Sequence, residues 1–464
     1  MKYKISDQFS FRRLLLYALP SIVMMIFMSL YTIVDGYFVS ALVGSDALSA
    51  VNIVYPVWSL LGAISLMFAT GGSALIAEAL GRGEPERANR LMTFFVLTTV
   101  AICTLIAAGC LAFLDPLLGL LGANETLLPY CRQYLMPLLL FAPMSALQML
   151  FQSYFVSASR PMLGFTLTVA GGIANMVLDY LLIAPAAMGV AGAAVATGIG
   201  ACIPAVGGLV FFAGNRGGLR FSRPSCTLRA LGKAMFNGSS EMVTNLAGSL
   251  TTLLFNLFMM RLIGSQGVAA ITVVLYSQFL LSSLFLGFSM GVAPVLSYNL
   301  GAGNRVQLKR LLRISYAFTS LASVLVVGAA LLLASPIAGI FSNGDAELRA
   351  LIIRGLRLFS LGYLLMGFNI FTSAMFTALS CGLTSAAVSF SRTLLFSVVF
   401  LCTLPLLWQV DGLFLAIPFA EICTAAVSAL CLKFVLPRAL PRPADQASTA
   451  LEQEEPAPAA TDEP

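Results

Sequence analysis

Twelve long apolar stretches dominate the sequence and decide the solvent in which this chain folds. A helix that crosses a bilayer needs about 20 mainly apolar residues. In the first half such stretches lie near residues 14–43, 51–80, 91–114, 133–157, 162–184 and 189–213, and in the second half near 235–263, 268–299, 311–334, 351–379, 385–406 and 411–435. With 59% hydrophobic and only 10% charged residues, a soluble globule could not hide so much apolar surface. The sequence therefore predicts an all-α polytopic membrane protein with twelve transmembrane helices.

Basic residues collect on alternate connections between the predicted spans. Clusters precede the first span, follow the second and the eighth, and occupy the polar connector between the sixth and the seventh. The intervening loops carry acids instead, namely Asp46, Asp115, Glu125, Asp345 and Asp411. Because cytoplasmic loops of membrane proteins are enriched in Lys and Arg, we expect a multi-pass protein of the cell (plasma or inner) membrane with both termini in the cytoplasm.

The two halves of the sequence repeat each other at a constant offset of 220 residues. The residues that coincide include Gly71 with Gly291, Gly81 with Gly301, Pro116 with Pro336 and Gly192 with Gly412. Six spans return the chain to the same side, so both copies point the same way, as in the parallel repeats of some secondary transporters. We expect an N-terminal lobe (1–213), a cytoplasmic connector (214–234), a C-terminal lobe (235–436) and a disordered cytoplasmic tail (437–464). Duplication alone can also build a stable bundle, but repeats of this kind favour a transporter.

Carboxylates inside the apolar spans are the best candidates for a functional site. Asp35 lies deep in the first span, while Asn175 and Asp179 lie deep in the fifth, four residues apart and therefore on one helix face. A charged group at the bilayer centre costs about 2.5–3.5 kcal/mol on insertion scales, so intramembrane acids are functional by default. Their counterparts 220 residues later are Phe255 and Val399. The acid pair thus belongs to the first half alone.

Three further acids and one proline interrupt the spans. Glu78 precedes an arginine-containing exit from the second span, and we expect it to pair with arginine. Glu241 either lines a cytoplasmic mouth or complements a helix N-terminus, and the sequence favours neither; the pattern assigns no face to Glu421. Pro20 removes a backbone hydrogen bond fifteen residues before Asp35 and predicts a bend or hinge in the first span.

The composition also limits the available chemistry. The chain has no histidine, and its nine cysteines form no C-x-x-C pair, so the usual metal ligands and the side chain that titrates near neutrality are missing. No phosphate-binding P-loop is present. We therefore expect no enzyme activity and no cofactor, and we assign any proton or ion chemistry to the carboxylates.

Taken together, these features resemble the MATE (multidrug and toxic compound extrusion) transporters, in particular their prokaryotic DinF-like and MepA-like branch. The resemblance is carried by Pro20 and Asp35 in the first span, the Gly81-Arg-Gly83 exit from the second, and Asn175-x-x-x-Asp179 in the fifth, and it covers about residues 10–435. It implies two pseudo-symmetric six-helix bundles. It also implies export of diverse, often cationic and aromatic, compounds in exchange for H⁺ or Na⁺.

The resemblance also implies roles for individual residues. The site that couples H⁺ or Na⁺ would be formed by Asp35, Asn175, Asp179, Thr197 and Tyr134, the first four being the candidate ligands of a Na⁺ ion. Pro20 would be the point at which the first helix bends. The sodium-coupled NorM branch also uses acids in the C-terminal lobe, where only Glu241 remains here as a candidate.

The sequence therefore predicts a secondary active antiporter that expels amphipathic or cationic organic compounds. A flippase for lipid-linked saccharides from the same superfamily is the main alternative; it would need a lateral opening lined by basic residues, and only Arg392 suggests one. A membrane-embedded enzyme would need a catalytic constellation, and a passive channel would need charged rings. The expected partners are small organic molecules and the lipid bilayer, with no nucleic acid, and we expect a monomer.

Overall fold

The computed structural model describes residues 3–43, 45–224, 227–342 and 344–441, which form α-helices joined by short turns. The helices of the first half are α1 (Phe11–Leu42), α2 (Ser45–Gly81), α3 (Pro85–Ala112), α4 (Leu114–Leu120), α5 (Leu128–Ser157), α6 (Pro161–Ile183) and α7 (Gly189–Gly214). Those of the second half are α8 (Leu228–Leu262), α9 (Ser265–Gly301), α10 (Arg305–Phe341), α11 (Ala346–Ser360), α12 (Tyr363–Ala378), α13 (Gly382–Phe390), a π-helical turn (Ser391–Leu395), α14 (Phe396–Phe434) and α15 (Leu436–Ala439).

The helices of the described chain confirm the predicted twelve-span, two-lobe membrane fold. Ten helical segments are long and apolar enough to cross a bilayer, and the bent pair α11–α12 makes an eleventh. The segment from α13 to α14 holds two spans, because its backbone leaves helical geometry at Trp408 and Gln409. The rings of Phe400 and Phe419 lie 5.8 Å apart, whereas a straight helix would separate those positions by about 28 Å. The chain therefore turns back at this break.

The 220-residue offset is visible in the helices themselves. Helices α2 and α9 each have 37 residues and begin and end at equivalent positions. Each is followed by a glycine with positive φ, +75° at Gly83 and +65° at Gly303. Residues with a Cβ rarely adopt this conformation, so glycine is required where the chain turns into the next helix.

The second half departs from the first at two places. The predicted tenth span, 351–379, is divided into α11 and α12, which meet at an angle of 50°; its counterpart α5 is one helix. The bend falls at Leu361 and Gly362, where Gly362 packs against the backbone of Pro418. The eleventh span contains the π-helical turn that carries Arg392. Such turns re-aim side chains and are frequent at functional sites.

Two predicted boundaries were wrong. Residues 228–234 of the predicted connector are helical, because α8 begins at Leu228. The predicted disordered tail begins with the short helix α15, after which Leu440 is buried in an apolar cluster. The remainder of that prediction, residues 442–464, lies outside the described residues.

The lobes pack closely at the end of the bundle that carries Arg82, Arg87, Arg229 and Arg305, which we call the basic end. Glycines make the contact: a methyl group added at Gly81 would lie 2.0 Å from the Tyr298 carbonyl oxygen, and one at Gly301 would lie 2.0 Å from that of Glu78. These two contacts are equivalent under the 220-residue offset. A further pair of glycines, Gly71 and Gly238, brings α2 against α8 in the same way. The structure is therefore closed at the basic end.

Replacing Gly301 with Ala should loosen this closure. The added methyl group would overlap the Glu78 backbone, so α2 and α9 would have to move apart by about 1 Å or more to restore ordinary contact distances. Half-buried Cys381 lies next to Ser380, which contacts Glu78, so its labelling by a maleimide should accelerate. Gly328→Ala is the matched control, because nothing lies within 4 Å of the added methyl group there. Equal labelling rates in the two variants would contradict the prediction.

Candidate functional site

The two carboxylates predicted from the sequence meet between α1 and α6. Asp179 is fully buried and Asp35 is half-buried, and each lies within electrostatic range of the other. Among the described residues, no group donates a hydrogen bond to either oxygen of Asp179 or to Oδ1 of Asp35. Two buried carboxylates that lie close together repel each other, and a proton or a cation between them relieves the repulsion. The pair is therefore suited to take up positive charge.

Glycines on α6 allow the helices around this pair to approach one another. A methyl group added at Gly172 would lie 2.5 Å from the ring of Phe27 on α1, and one at Gly171 would lie 2.5 Å from the carbonyl oxygen of Gly200 on α7. Gly200 in turn contacts the side chain of Asn175. Small residues at such crossings let membrane helices pack backbone to backbone. The Gly171-Gly172 pair thus sets α1 and α7 on either side of the acid-bearing helix.

A small cavity of about 90 Å³ lies beside the acids, and Asn175, Thr197 and Tyr31 line it. Asn175 is 3% exposed, yet neither atom of its amide has a hydrogen-bond partner within the described part of the chain. The hydroxyl groups of Ser145 and Thr168, which also line the cavity, are buried and unpaired as well. Buried polar atoms of native proteins are normally paired with protein groups or ordered water. The unpaired atoms therefore indicate a site for water or for an ion.

Two tyrosines complete the surroundings of the acids. Tyr134 on α5, which only the family resemblance had suggested, lies within electrostatic range of Asp35 and Asp179. Tyr31 on α1 does so as well. Sequence reasoning missed Tyr31, although it stands four residues before Asp35 and therefore on the same helix face. It also missed Thr168, which precedes Asn175 by seven residues, two helical turns along the same face.

Pro20 lies inside α1, which continues without a break from Phe11 to Leu42. The adjacent turn packs tightly on the other lobe, since a methyl group at Gly287 of α9 would lie 2.6 Å from Cα of Ile22. The residue is buried. Its role as a hinge stays a prediction, and in this state the helix around it is held against α9.

The C-terminal lobe contains a buried charge network that sequence reasoning did not assemble. Nε of Arg392 donates a hydrogen bond of 2.8 Å to Oε1 of Glu421, whose side chain is 2% exposed. Nδ2 of Asn369 donates to Oε2 of Glu421 at 2.7 Å, and Ser428 donates to Oδ1 of Asn369 at 2.9 Å. Glu421, which the sequence left without an assigned face, is thus the centre of a satisfied ion pair inside the lobe.

The two remaining acids lie elsewhere. Glu78 pairs with Arg82 as predicted, and it also accepts a hydrogen bond of 2.8 Å from Ser380 of the other lobe. Glu241 lies well inside α8, because that helix begins at Leu228; its reading as a helix N-terminus residue was wrong. Arg392 lies within electrostatic range of it.

The repeated architecture agrees with what a comparison with known families finds. The model of the MatE family matches residues 20–181 and 242–403, one segment in each half and together more than two thirds of the chain. The chain belongs to the MatE family. It is therefore a multi-pass membrane transporter rather than an enzyme.

Known proteins are similar to the chain in sequence and in structure. The chain is 22% identical over 367 residues to the multidrug export protein MepA of Staphylococcus aureus, covering 77% of this chain and 80% of that protein. A multidrug resistance MATE transporter in an outward-facing conformation superposes with a TM-score of 0.87 at 22% identity, over 93% of this chain and 97% of that chain. A MOP-superfamily transporter from Pyrococcus furiosus, described as having a binding pocket of reverse polarity, gives a TM-score of 0.86 at 22% identity, with coverages of 93% and 97%.

Proposed function

We propose that this MatE-family protein is a secondary active antiporter of the cell membrane, with its basic end in the cytoplasm, that exports amphipathic or cationic organic compounds in exchange for H⁺ or Na⁺. The observation that carries the proposal is the Asp35–Asp179 pair: three of its four carboxyl oxygens are buried without a donor among the described residues, and it lies near further polar atoms that are unpaired within the same part of the chain. Relatives named as multidrug export proteins support the substrate class.

The cavity beside the acids is large enough for the coupling ion but too small for the exported compound. Pockets for drug-sized ligands usually measure about 300–1,000 Å³, so a cavity of about 90 Å³ holds water or an ion but no such compound. The compound would bind between the lobes in another state. Coupling then requires that ion and compound bind the two states with unequal affinity.

Both candidate ions fit the chemistry of the pair. A proton on one carboxyl group supplies the donor that the facing group lacks. A Na⁺ ion would instead need oxygens from Asp35, Asp179, Asn175 and Thr197. Within the described ranges, no three His, Cys, Asp or Glu side chains converge on a metal site, so a cation here would depend on the amide and hydroxyl oxygens as well.

The flippase alternative is disfavoured by the state of Arg392. A diphosphate site needs cations free to meet the ligand, whereas Arg392 is bonded to Glu421 and is only 15% exposed. We therefore retain the antiporter as the proposed function.

Flux measurements on the full chain in sealed proteoliposomes test the proposal. A fluorescent organic cation should accumulate against its concentration gradient when a pH gradient or a Na⁺ gradient is imposed, and the gradient that drives uptake identifies the coupling ion. Accumulation should stop when an ionophore collapses that gradient. Movement only down the concentration gradient of the dye, or no movement under either gradient, would contradict antiport.

A further inference from the structure

A second and larger cavity, of about 470 Å³, opens at the basic end between the two lobes. Four basic side chains line it, Arg82 and Arg87 from the N-terminal lobe and Arg229 and Lys233 from α8 of the C-terminal lobe. The proposed coupling site does not involve it. The cavity is therefore a candidate for a separate ligand that touches both lobes at once.

The charges in this cavity are only partly compensated. Arg82 pairs with Glu78, and Arg87 pairs with Glu84. Arg229 and Lys233 form no salt bridge and no side-chain hydrogen bond with any described residue, and both are exposed. Within the described part of the chain, the cavity thus presents two cations without partners opposite two arginines that have carboxylate partners. A ligand with negative charge would complete it.

The rest of the wall is partly apolar and partly polar, the polar residues being Glu78, Thr227, Asn237 and Ser380. Leu75 and Leu91 line the cavity, and so does Phe236, which is 54% exposed. Leu383, next to the lining residue Gly382, is 70% exposed. Large apolar side chains exposed on a transmembrane helix face the hydrocarbon of the bilayer. The rim therefore suits a molecule with an anionic head and an apolar tail.

The internal repeat shows that the fold does not require this cavity. At the equivalent place, 220 residues away, Phe9 stands for Arg229, Ala302 for Arg82 and Gln307 for Arg87, whereas Arg13 keeps the charge of Lys233. Phe9 is fully buried and packs in one apolar cluster with Val295 and Leu311. The chain fills that groove with its own N-terminal segment, whereas it leaves the first groove open and lines it with cations.

We propose that the cavity binds the phosphate headgroup of an anionic phospholipid and thereby holds the lobes together in the state closed at the basic end. Arginine binds phosphate through directed, charge-assisted hydrogen bonds, and basic pockets between transmembrane helices on the cytoplasmic side bind anionic headgroups. A headgroup seated between Arg82 and Lys233 would bridge α2 and α8. The acyl chains would lie along Phe236 and Leu383.

Binding of phosphatidylglycerol to the detergent-solubilised full chain, measured by native mass spectrometry, tests this site. The variant Arg229→Gln/Lys233→Gln should bind at least about tenfold more weakly, because each basic residue near an anionic lipid surface contributes several-fold to binding. The matched control Arg216→Gln/Arg223→Gln removes the same charge from the exposed connector outside the cavity, and its binding should stay within about twofold of the unchanged protein. Thermal unfolding of both variants checks that they fold.

Three outcomes would overturn the proposal. Equal loss of binding in the two double variants would show general attraction between a basic surface and an anionic lipid. Binding of phosphatidylcholine as tightly as phosphatidylglycerol would show that net headgroup charge is not recognised. Displacement of the lipid by inorganic phosphate at matched concentration would identify the ligand as a soluble anion and not as a lipid.

Discussion

Replacing Asp35 with Asn should reduce gradient-driven export to the background of protein-free vesicles. Asn has nearly the same shape as Asp, but it cannot exchange a proton and is a weaker ligand for a cation. Asp179 would then lose its carboxyl neighbour. Folding should survive, because the substitution removes a charge whose placement within the bilayer costs free energy. The measurement is uptake of a fluorescent cation in proteoliposomes, together with the yield and thermal unfolding of the purified variant.

The matched control for this variant is Asp115→Asn. Asp115 is 52% exposed and pairs with Arg132 far from the acid pair along the chain, so the same chemical change there should leave export within about twofold, since exposed ion pairs contribute little. Export at the unchanged rate by Asp35→Asn would overturn the assignment of the coupling site. A loss of export in both variants would point to a general effect on the fold instead.

Much of the fold follows from hydropathy and from the repeat. The span count and the equivalence of α2 and α9 were readable, because length and apolar composition are local requirements and the offset between the halves is constant. The bend between α11 and α12 was not readable. It occurs without a proline, where Gly362 packs against a residue far away in the sequence, and such a contact leaves no local pattern.

The candidate site was partly predictable for the same reason. Asp35 and Asp179 stand out because they are carboxylates within apolar spans, and the structure places them near each other. Their role as a coupling site stays a prediction. Tyr31 and Thr168 had a helical-spacing signal that was overlooked. The pairing of Arg392 with Glu421 had none, because the predicted return between the eleventh and twelfth spans places two helices side by side without fixing which of their residues face each other.

Replacing Arg392 with Met should lower the free energy of unfolding by about 3–5 kcal/mol, the usual cost of leaving one partner of a buried ion pair without compensation. Glu421 would keep its hydrogen bond from Asn369 but lose its counter-charge in a site where it is 2% exposed. The measurement is denaturant or thermal unfolding of the purified chain in detergent. Arg132→Met, which breaks the exposed pair with Asp115, is the matched control and should cost less than about 1 kcal/mol.

The double variant Arg392→Met/Glu421→Met tests whether the loss of stability comes from the uncompensated charge of Glu421. Buried ion pairs can often be replaced by apolar residues of similar volume without loss of stability, so the second substitution should restore most of what the first removes. If Arg392 instead has a role in export through its neighbour Glu241, the double variant will be stable and still fail to transport. A single variant as stable as the unchanged protein would show that the pair contributes little to folding.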